Sequence, residues 1–145
     1  MDFFSAMNVS SSGMTAERTR INLIASNIAN ANSTRTPEGG PYKRKDPVFS
    51  AVSAGEPFES TLGQAGAKGV KKVQVESIQE DQTPPRLQYD PSHPDANSDG
   101  FVAYPNVNVI GEMADMVSAS RAYEANVTAA QAAKSMAMKA LDILR

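Results

Sequence analysis

From Val109 to Arg145 the chain reads VIGEMADMVSASRAYEANVTAAQAAKSMAMKALDILR, with no proline anywhere in it. Within it, Val109, Met113, Met116, Ser120, Tyr123, Val127, Ala130, Lys134, Ala137, Leu141 and Leu144 follow one another at alternating intervals of four and three. Only Ser120 and Lys134 break the apolar row. A mean period of 3.5 is the signature of coiled-coil-like packing, so the segment reads as one long helix with a seam along its length. At about 1.5 Å per residue that helix is roughly 50 Å long. A helix about three times the usual length has little to pack against inside a single 15.4 kDa chain.

The other end carries a weaker version of the same pattern. Met7, Met14, Ile21 and Ile28 recur every seventh residue, and Phe3 and Ile24 fit the partner row. Ser10 and Glu17 leave that partner row half empty. Ser10-Ser11-Ser12-Gly13 and the asparagines Asn22, Asn27, Asn30 and Asn32 are weak helix formers. A helix of this composition is marginal alone and needs a partner surface. Two arrangements satisfy that need. In one, the terminal helices form an antiparallel hairpin that buries its own seams. In the other they pair and also present apolar surface to further subunits, which the 3.5-residue period favours because it suits long side-by-side contact.

Between the helices the composition changes. All 9 prolines lie from Pro37 to Pro105, and the glycines concentrate there too. The expected organisation is therefore an amino-terminal helix over residues 1–32, an irregular, β-containing middle over 33–104, and a carboxy-terminal helix over 105–145. The fold class is mainly α with a small β-containing insert. Strand candidates are Val48–Val52, Val70–Ile78, the alternation of Leu87 and Tyr89, and Phe101–Tyr104. Gly63, Gly66 and Gly69 mark a flexible approach to the second of these.

Composition excludes several functions. With no Cys there is no disulfide, no thiolate metal site and no Cys nucleophile, and His93 alone supports neither a His-rich metal site nor a catalytic triad. A net charge of −2 gives no field for nucleic acid, and Lys43-Arg44-Lys45 and Lys71-Lys72 read as solvated or interface charges. No phosphate-binding glycine loop occurs. Asp95-Ala96-Asn97-Ser98-Asp99-Gly100 matches the front half of a calcium loop, but its twelfth position is Asn106 rather than Glu, and Pro91 and Pro94 stand where a helix should enter. An Asx-rich turn is the expected structure there. Catalytic, cofactor-binding and metal-binding residues are therefore expected to be absent. No run is apolar enough to insert in a membrane, and the first residues lack the basic and apolar regions of a cleaved signal.

Ser26-Asn27-Ile28-Ala29-Asn30-Ala31-Asn32-Ser33-Thr34 resembles the amino-terminal signature of bacterial flagellar axial proteins of the rod and hook family. Arg35 to Lys45, Tyr89 to Asn97 and Gly100 to Asn108 resemble the proximal rod members of that family, and Ser118-Ala119-Ser120-Arg121-Ala122-Tyr123-Glu124-Ala125-Asn126 is similar to its carboxy-terminal motif. On this resemblance Asn27, Asn30, Asn32, Thr34, Arg121, Tyr123 and Asn126 are the motif residues. The family's Thr-x-Gly-Tyr-like step is replaced here by Thr34-Arg35-Thr36-Pro37 and a longer approach to Tyr42.

The resemblance implies paired terminal helices in the inner wall of a tube, with the middle further out. It implies a structural subunit of the hollow drive shaft that carries motor torque and passes later axial proteins through its lumen. Implied partners are other rod proteins, the rod base and export gate, copies of the chain itself and the type III export apparatus, with no nucleic acid and no membrane insertion. The implied location is the rod within the periplasm, reached without a cleaved signal. The residues expected at assembly interfaces are Met7, Met14, Ile21, Ile28, Val109, Met113, Met116, Tyr123, Val127, Leu141 and Leu144. The competing class is a soluble coiled-coil adaptor or flagellar export chaperone.

Overall fold

A computed structural model describes residues 3–53 and 70–143. Helix α1 spans Phe3–Ala29, strands β1 to β4 span Lys45–Ser53, Lys71–Glu80, Arg86–Tyr89 and Phe101–Tyr104, and helix α2 spans Val109–Ile143. All four strand candidates are strands. Gly63, Gly66, Gly69 and Leu144 lie outside the described residues.

The weak helix formers of α1 are accommodated locally. The hydroxyls of Ser12, Thr15 and Thr19 donate back to the carbonyls of Val9, Ser11 and Thr15, so none competes for a non-helical backbone. The asparagine string then stops the helix short of residue 32. Asn30 Nδ2 donates to the Ser26 carbonyl at 2.9 Å, and the Ser33 hydroxyl donates to Asn30 Oδ1 at 3.2 Å, closing a tight turn over residues 30–32. Helix α2 starts at Val109 rather than at residue 105, because Asn108 is its cap: the Gly111 N–H donates to Asn108 Oδ1 at 3.3 Å.

The two helices pair antiparallel, and two contacts fix their register. Gly13 on α1 lies against Asn126 on α2, where a Cβ would sit 2.9 Å from the amide atoms. Asn27 on α1 bonds Glu112 on α2 at 3.0 Å. From Gly13 to Asn27 and from Glu112 to Asn126 the interval is the same two heptads. The buried residues of the helices are Ser10, Ala16, Ile24 and Asn27 on α1 and Glu112, Ala119 and Ala133 on α2. The surface α2 turns to α1 is thus set by Glu112, Ala119, Asn126 and Ala133, one residue ahead of the row through Met113, Ser120 and Val127.

The residues expected at assembly interfaces therefore lie off the α1–α2 contact line. Val109, Met113 and Leu141 are exposed, Met116, Tyr123 and Val127 are half-buried, and on α1 Met7 is exposed while Met14, Ile21 and Ile28 are half-buried. On α2 small side chains at the contact line let the two backbones approach and the larger ones lie on its flanks, whereas α1 also buries Ile24.

Strands β1 and β2 form an antiparallel hairpin paired from Lys45 with Glu80 to Ser53 with Lys71, with a bulge at Val48/Phe49. It lies on α1, where the Val73 N–H donates to Ser12 Oγ at 3.2 Å. Strands β3 and β4 form a second hairpin in which Tyr89 pairs with Phe101, their rings edge to face at 5.3 Å. Val102 of β4 is fully buried. Gly100 has a φ of 80°, and a Cβ there would lie 2.9 Å from the Tyr89 ring, so only glycine fits. In the preceding loop Asn97 Oδ1 accepts from the N–H groups of Asp99 and Phe101 at 3.0 and 2.8 Å. This is an Asx turn, and the Asp95 carboxylate accepts from Thr34 Oγ1 at 2.8 Å. His93 stays in that loop, its Nδ1 accepting from the Asp95 N–H at 3.1 Å.

Candidate functional site

Where α1 ends and α2 begins, a buried polar cluster joins the helices to the first hairpin. Asn27 has no solvent exposure. Its Nδ2 donates to the Lys45 carbonyl and to Glu112 Oε2, both at 3.0 Å. Its Oδ1 accepts from the Lys45 N–H and from the Tyr42 hydroxyl, both at 2.9 Å. A carboxamide has two donor hydrogens and two acceptor lone pairs, so every site on Asn27 is filled. No other residue type of this size supplies two donors and two acceptors at once.

Glu112 is 3% exposed, and a carboxylate buried so far costs several kcal/mol unless it is paired and hydrogen-bonded. Arg44 Nε supplies the pairing at 2.5 Å from Glu112 Oε1. The same guanidinium contacts Asp46. Burial works against the charge on Arg44, but the hydrogen bond to Glu112 and the charges of Glu112, Asp46 and Asp81 outweigh it, and its pKa lies above the ordinary arginine value. Backbone bonds brace the cluster: Tyr42 N–H to the Ser33 carbonyl at 3.0 Å and Asp81 N–H to the Arg44 carbonyl at 2.8 Å. Asp81 itself is held below the usual carboxylate range by the Thr83 side chain first and the Thr83 N–H second.

The sequence motif residues divide by role. Asn27 is the centre of this clasp, and Asn30 closes the helix. Asn32 is exposed in the turn, and Thr34 ties the end of that turn to the loop before β4. Asn126 Nδ2 donates to the Ala122 carbonyl at 3.0 Å and packs on Gly13, Tyr123 is half-buried beside it, and Arg121 is exposed. Tyr42, Arg44 and Glu112 are not in the motif set and were not singled out as clasp residues by sequence reasoning. The signal for Glu112 was its position seven residues before Ala119 in a row of small and polar residues. Of the basic cluster, Lys43 is exposed and Lys45 pairs with Glu80 at 3.4 Å, whereas Arg44 turns inward.

Outside the clasp, α2 leaves large apolar side chains in solvent. Ile110 is 80% exposed and Leu141 67%, with Met113, Val117, Met136 and Met138 also more than half exposed. Among the described residues no helix is long and apolar enough to cross a membrane.

Residues 7–35 match the family model for flagella basal body rod proteins, and residues 98–143 match the model for the C-terminal region of flagellar basal body rod FlgEFG proteins. Whole-chain relatives bear the name flagellar basal-body rod protein FlgC. The Bacillus subtilis protein is 47% identical over 99% of this chain and 99% of its own length. The Borreliella burgdorferi protein is 45% identical over 100% of this chain and 99% of its own. The Salmonella typhimurium protein is 38% identical over 99% of this chain and 98% of its own. With the α1 and α2 motifs placed in one antiparallel pair and relatives matched from end to end, the chain belongs to the FlgC family of flagellar basal-body rod proteins.

Proposed function

We propose that this protein is a structural subunit of the proximal rod of the flagellar basal body, and not an enzyme. The observation that carries the reading is the division of labour in the helix pair. Ser10, Ala16, Ile24 and Asn27 of α1 and Glu112, Ala119 and Ala133 of α2 are buried, while Ile110, Met113, Val117, Met136, Met138 and Leu141 of α2 are left outside. A soluble adaptor or chaperone with one partner is the less favoured reading, since family membership and this exposed apolar surface both fit assembly.

Magnitudes support many weak contacts rather than one strong one. Burying a large apolar side chain is worth about 1.5–3 kcal/mol. Five such residues give about 10 kcal/mol, comparable to the roughly 4–15 kcal/mol that association costs. One face is marginal alone, and repetition around a non-closing heterologous interface gives a stiff helical shaft. The terminal helices form the core of that shaft, paired in coiled-coil fashion, and residues 33–104 lie outside them. Copies of this chain, other rod proteins and the rod base with its export gate are the neighbours. The subunit reaches the periplasm through the type III apparatus without a cleaved signal, and the finished rod transmits torque and passes later subunits through its lumen. Deletion of the gene tests the reading: basal bodies then lack the rod. Intact rods in the deletion strain contradict it.

A further inference from the structure

Beyond membership of the rod, and resting on that reading, an open cavity beside the clasp has the chemistry of a receptor for a neighbour's side chain. The stretch from Thr34 to Tyr42 departs from the family's Thr-x-Gly-Tyr-like step, and its added residues form one rim of the cavity. Thr36 closes that loop on itself: its N–H donates to the Gly40 carbonyl at 2.9 Å, and its carbonyl accepts from the Gly39 N–H at 3.0 Å. Gly39 and Gly40 have φ of 91° and 79°, and a Cβ on either would meet nothing within 4 Å. Two successive left-handed glycines are costly in chain entropy, and no packing among the described residues calls for them here. What they provide is a rim of bare, exposed backbone that another chain can approach closely.

Behind the rim lies a cavity of about 260 Å³. It is smaller than the roughly 300–1,000 Å³ of small-molecule sites, and suits one long side chain. Pro41, Tyr42 and Pro85 give it apolar walls, and Asp81 and Thr83 give it a polar part. Asp81 accepts both of its bonds on Oδ1, from the Thr83 N–H at 2.9 Å and from the Thr83 hydroxyl. Its Oδ2 has no donor among the described residues. Arg44 turns its Nε to Glu112 and its Nη1 to Asp46, and Lys43, exposed at the rim, forms no ion pair with Asp81. Lys43 and Arg44 thus stand against three carboxylates, Asp46, Asp81 and Glu112.

We infer that this cavity receives an arginine or lysine side chain of a neighbouring rod subunit, its stem against the Pro41, Tyr42 and Pro85 rings and its charged head at Asp81. Charge selects the occupant. An anion would face the uncompensated carboxylate, and a purely apolar side chain would cover Asp81 Oδ2 without giving it a donor, which costs free energy. A cation on an apolar stem satisfies the walls and the carboxylate together. Tyr42 and Arg44 line the cavity and also bond Asn27 and Glu112 of the clasp, so the cavity takes shape only when the helix pair is in register.

Competitive incorporation tests this. Cells carry tagged wild-type protein together with one variant, and mass spectrometry reads the ratio of the two in isolated basal bodies against their ratio in the cell. Asp81→Asn is expected to be under-represented by about threefold or more, the loss of one ion pair, and Asp81→Lys further still. Asp99→Asn, which removes an exposed carboxylate from the Asx loop, is expected at the wild-type ratio. Circular dichroism and urea midpoints of the purified variants establish that each is folded. The chain has no cysteine, so Asn106→Cys at the cavity wall reports by its thiol with Asp81 intact. It is expected to react with a small maleimide in the free subunit and to be protected in basal bodies. A benzophenone maleimide on Glu38→Cys, on the loop outside the cavity, is expected to give adducts on a rod-subunit segment that contains an arginine or lysine. Incorporation of Asp81→Asn and Asp81→Lys at the wild-type ratio, equal labelling of Asn106→Cys in free and assembled protein, or adducts confined to segments without a cation overturns the inference. So does loss of incorporation in Lys43→Gln with Asp81→Asn unaffected, which marks an anionic occupant. Absence of the wild-type protein from basal bodies is a different result, and overturns the rod reading instead.

Discussion

Asn27 and Glu112 meet at 3.0 Å with neither side chain more than 3% exposed, and this contact holds the end of α1 to the start of α2. The same asparagine bonds both backbone groups of Lys45, so the entry to the first hairpin is set by the residue that sets the helix register. A buried asparagine bonded across the helix pair is a register device: sliding one helix past the other by a turn breaks the Asn27–Glu112 bond and leaves the buried carboxylate short of a donor.

Replacing Asn27 therefore does more than remove a hydrogen bond. Asn27→Ala leaves the Glu112 carboxylate short of a donor and is expected to destabilise the subunit by about 2–4 kcal/mol. Asn27→Asp is expected to be at least as harmful, because it sets a second carboxylate against Glu112. Urea unfolding of the purified subunit measures both. A change below about 0.5 kcal/mol, the range of an ordinary surface substitution, contradicts the clasp.

Gly13 and Asn126 are coupled by contact. Gly13→Ala gains about 1 kcal/mol of helix propensity but displaces the Asn126 amide from its bond to Ala122, worth about 0.5–1.5 kcal/mol, so the single variant is expected to be near neutral. In an Asn126→Ala background the same change is expected to stabilise by about 1 kcal/mol. A double-mutant cycle measures this difference, and strict additivity contradicts close approach of the helices at this point.

Leu141 separates assembly from folding. It is exposed in the subunit, so Leu141→Asp is expected to change subunit stability by less than about 0.5 kcal/mol. The same variant is expected to abolish rod assembly and swimming. Normal motility in soft agar, or a collapsed subunit by circular dichroism, contradicts the assignment of this residue to an interface.

The Thr83 bonds to Asp81 have a pH signature. They lower the folded-state pKa of Asp81, so their small stabilisation is present above the unfolded carboxylate pKa and is lost as pH falls through the folded value. Carboxyl-detected NMR titration is expected to place Asp81 below ordinary aspartates, and Thr83→Val is expected to move it back toward them. An unchanged titration in Thr83→Val contradicts Thr83 as the cause.

Much of this architecture was legible in the chain. Proline-free ends and 3.5-residue repeats marked both helices, alternation marked Leu87-Gln88-Tyr89, and the Asn-rich string marked the end of α1. On α2 the contact line falls one residue before the row through Met113, Ser120 and Val127, whereas on α1 two residues of the expected partner row, Ser10 and Ile24, are buried. Hydrophobicity pointed to the row through Met7, Met14, Ile21 and Ile28 and to that through Met113, Val127 and Leu141, while the structure buries Ser10, Ala16, Asn27, Glu112, Ala119 and Ala133, with Ile24 the one large apolar residue among them. In a chain that folds alone the largest apolar residues mark the internal seam. In one that keeps them for neighbours the internal seam falls to small and polar residues, which carry no hydrophobic signal. The clasp was hidden for a related reason, since its partners Asn27, Arg44 and Glu112 are brought together only by the fold.

The central claim, that these exposed faces exist for incorporation into the rod, is tested most directly by quantitative mass spectrometry of detergent-extracted basal bodies. The prediction is that the wild-type protein is present at a fixed ratio to the other rod proteins and that Leu141→Asp is absent while still soluble in the cell. Wild-type protein missing from basal bodies, or Leu141→Asp present at the wild-type ratio, contradicts it.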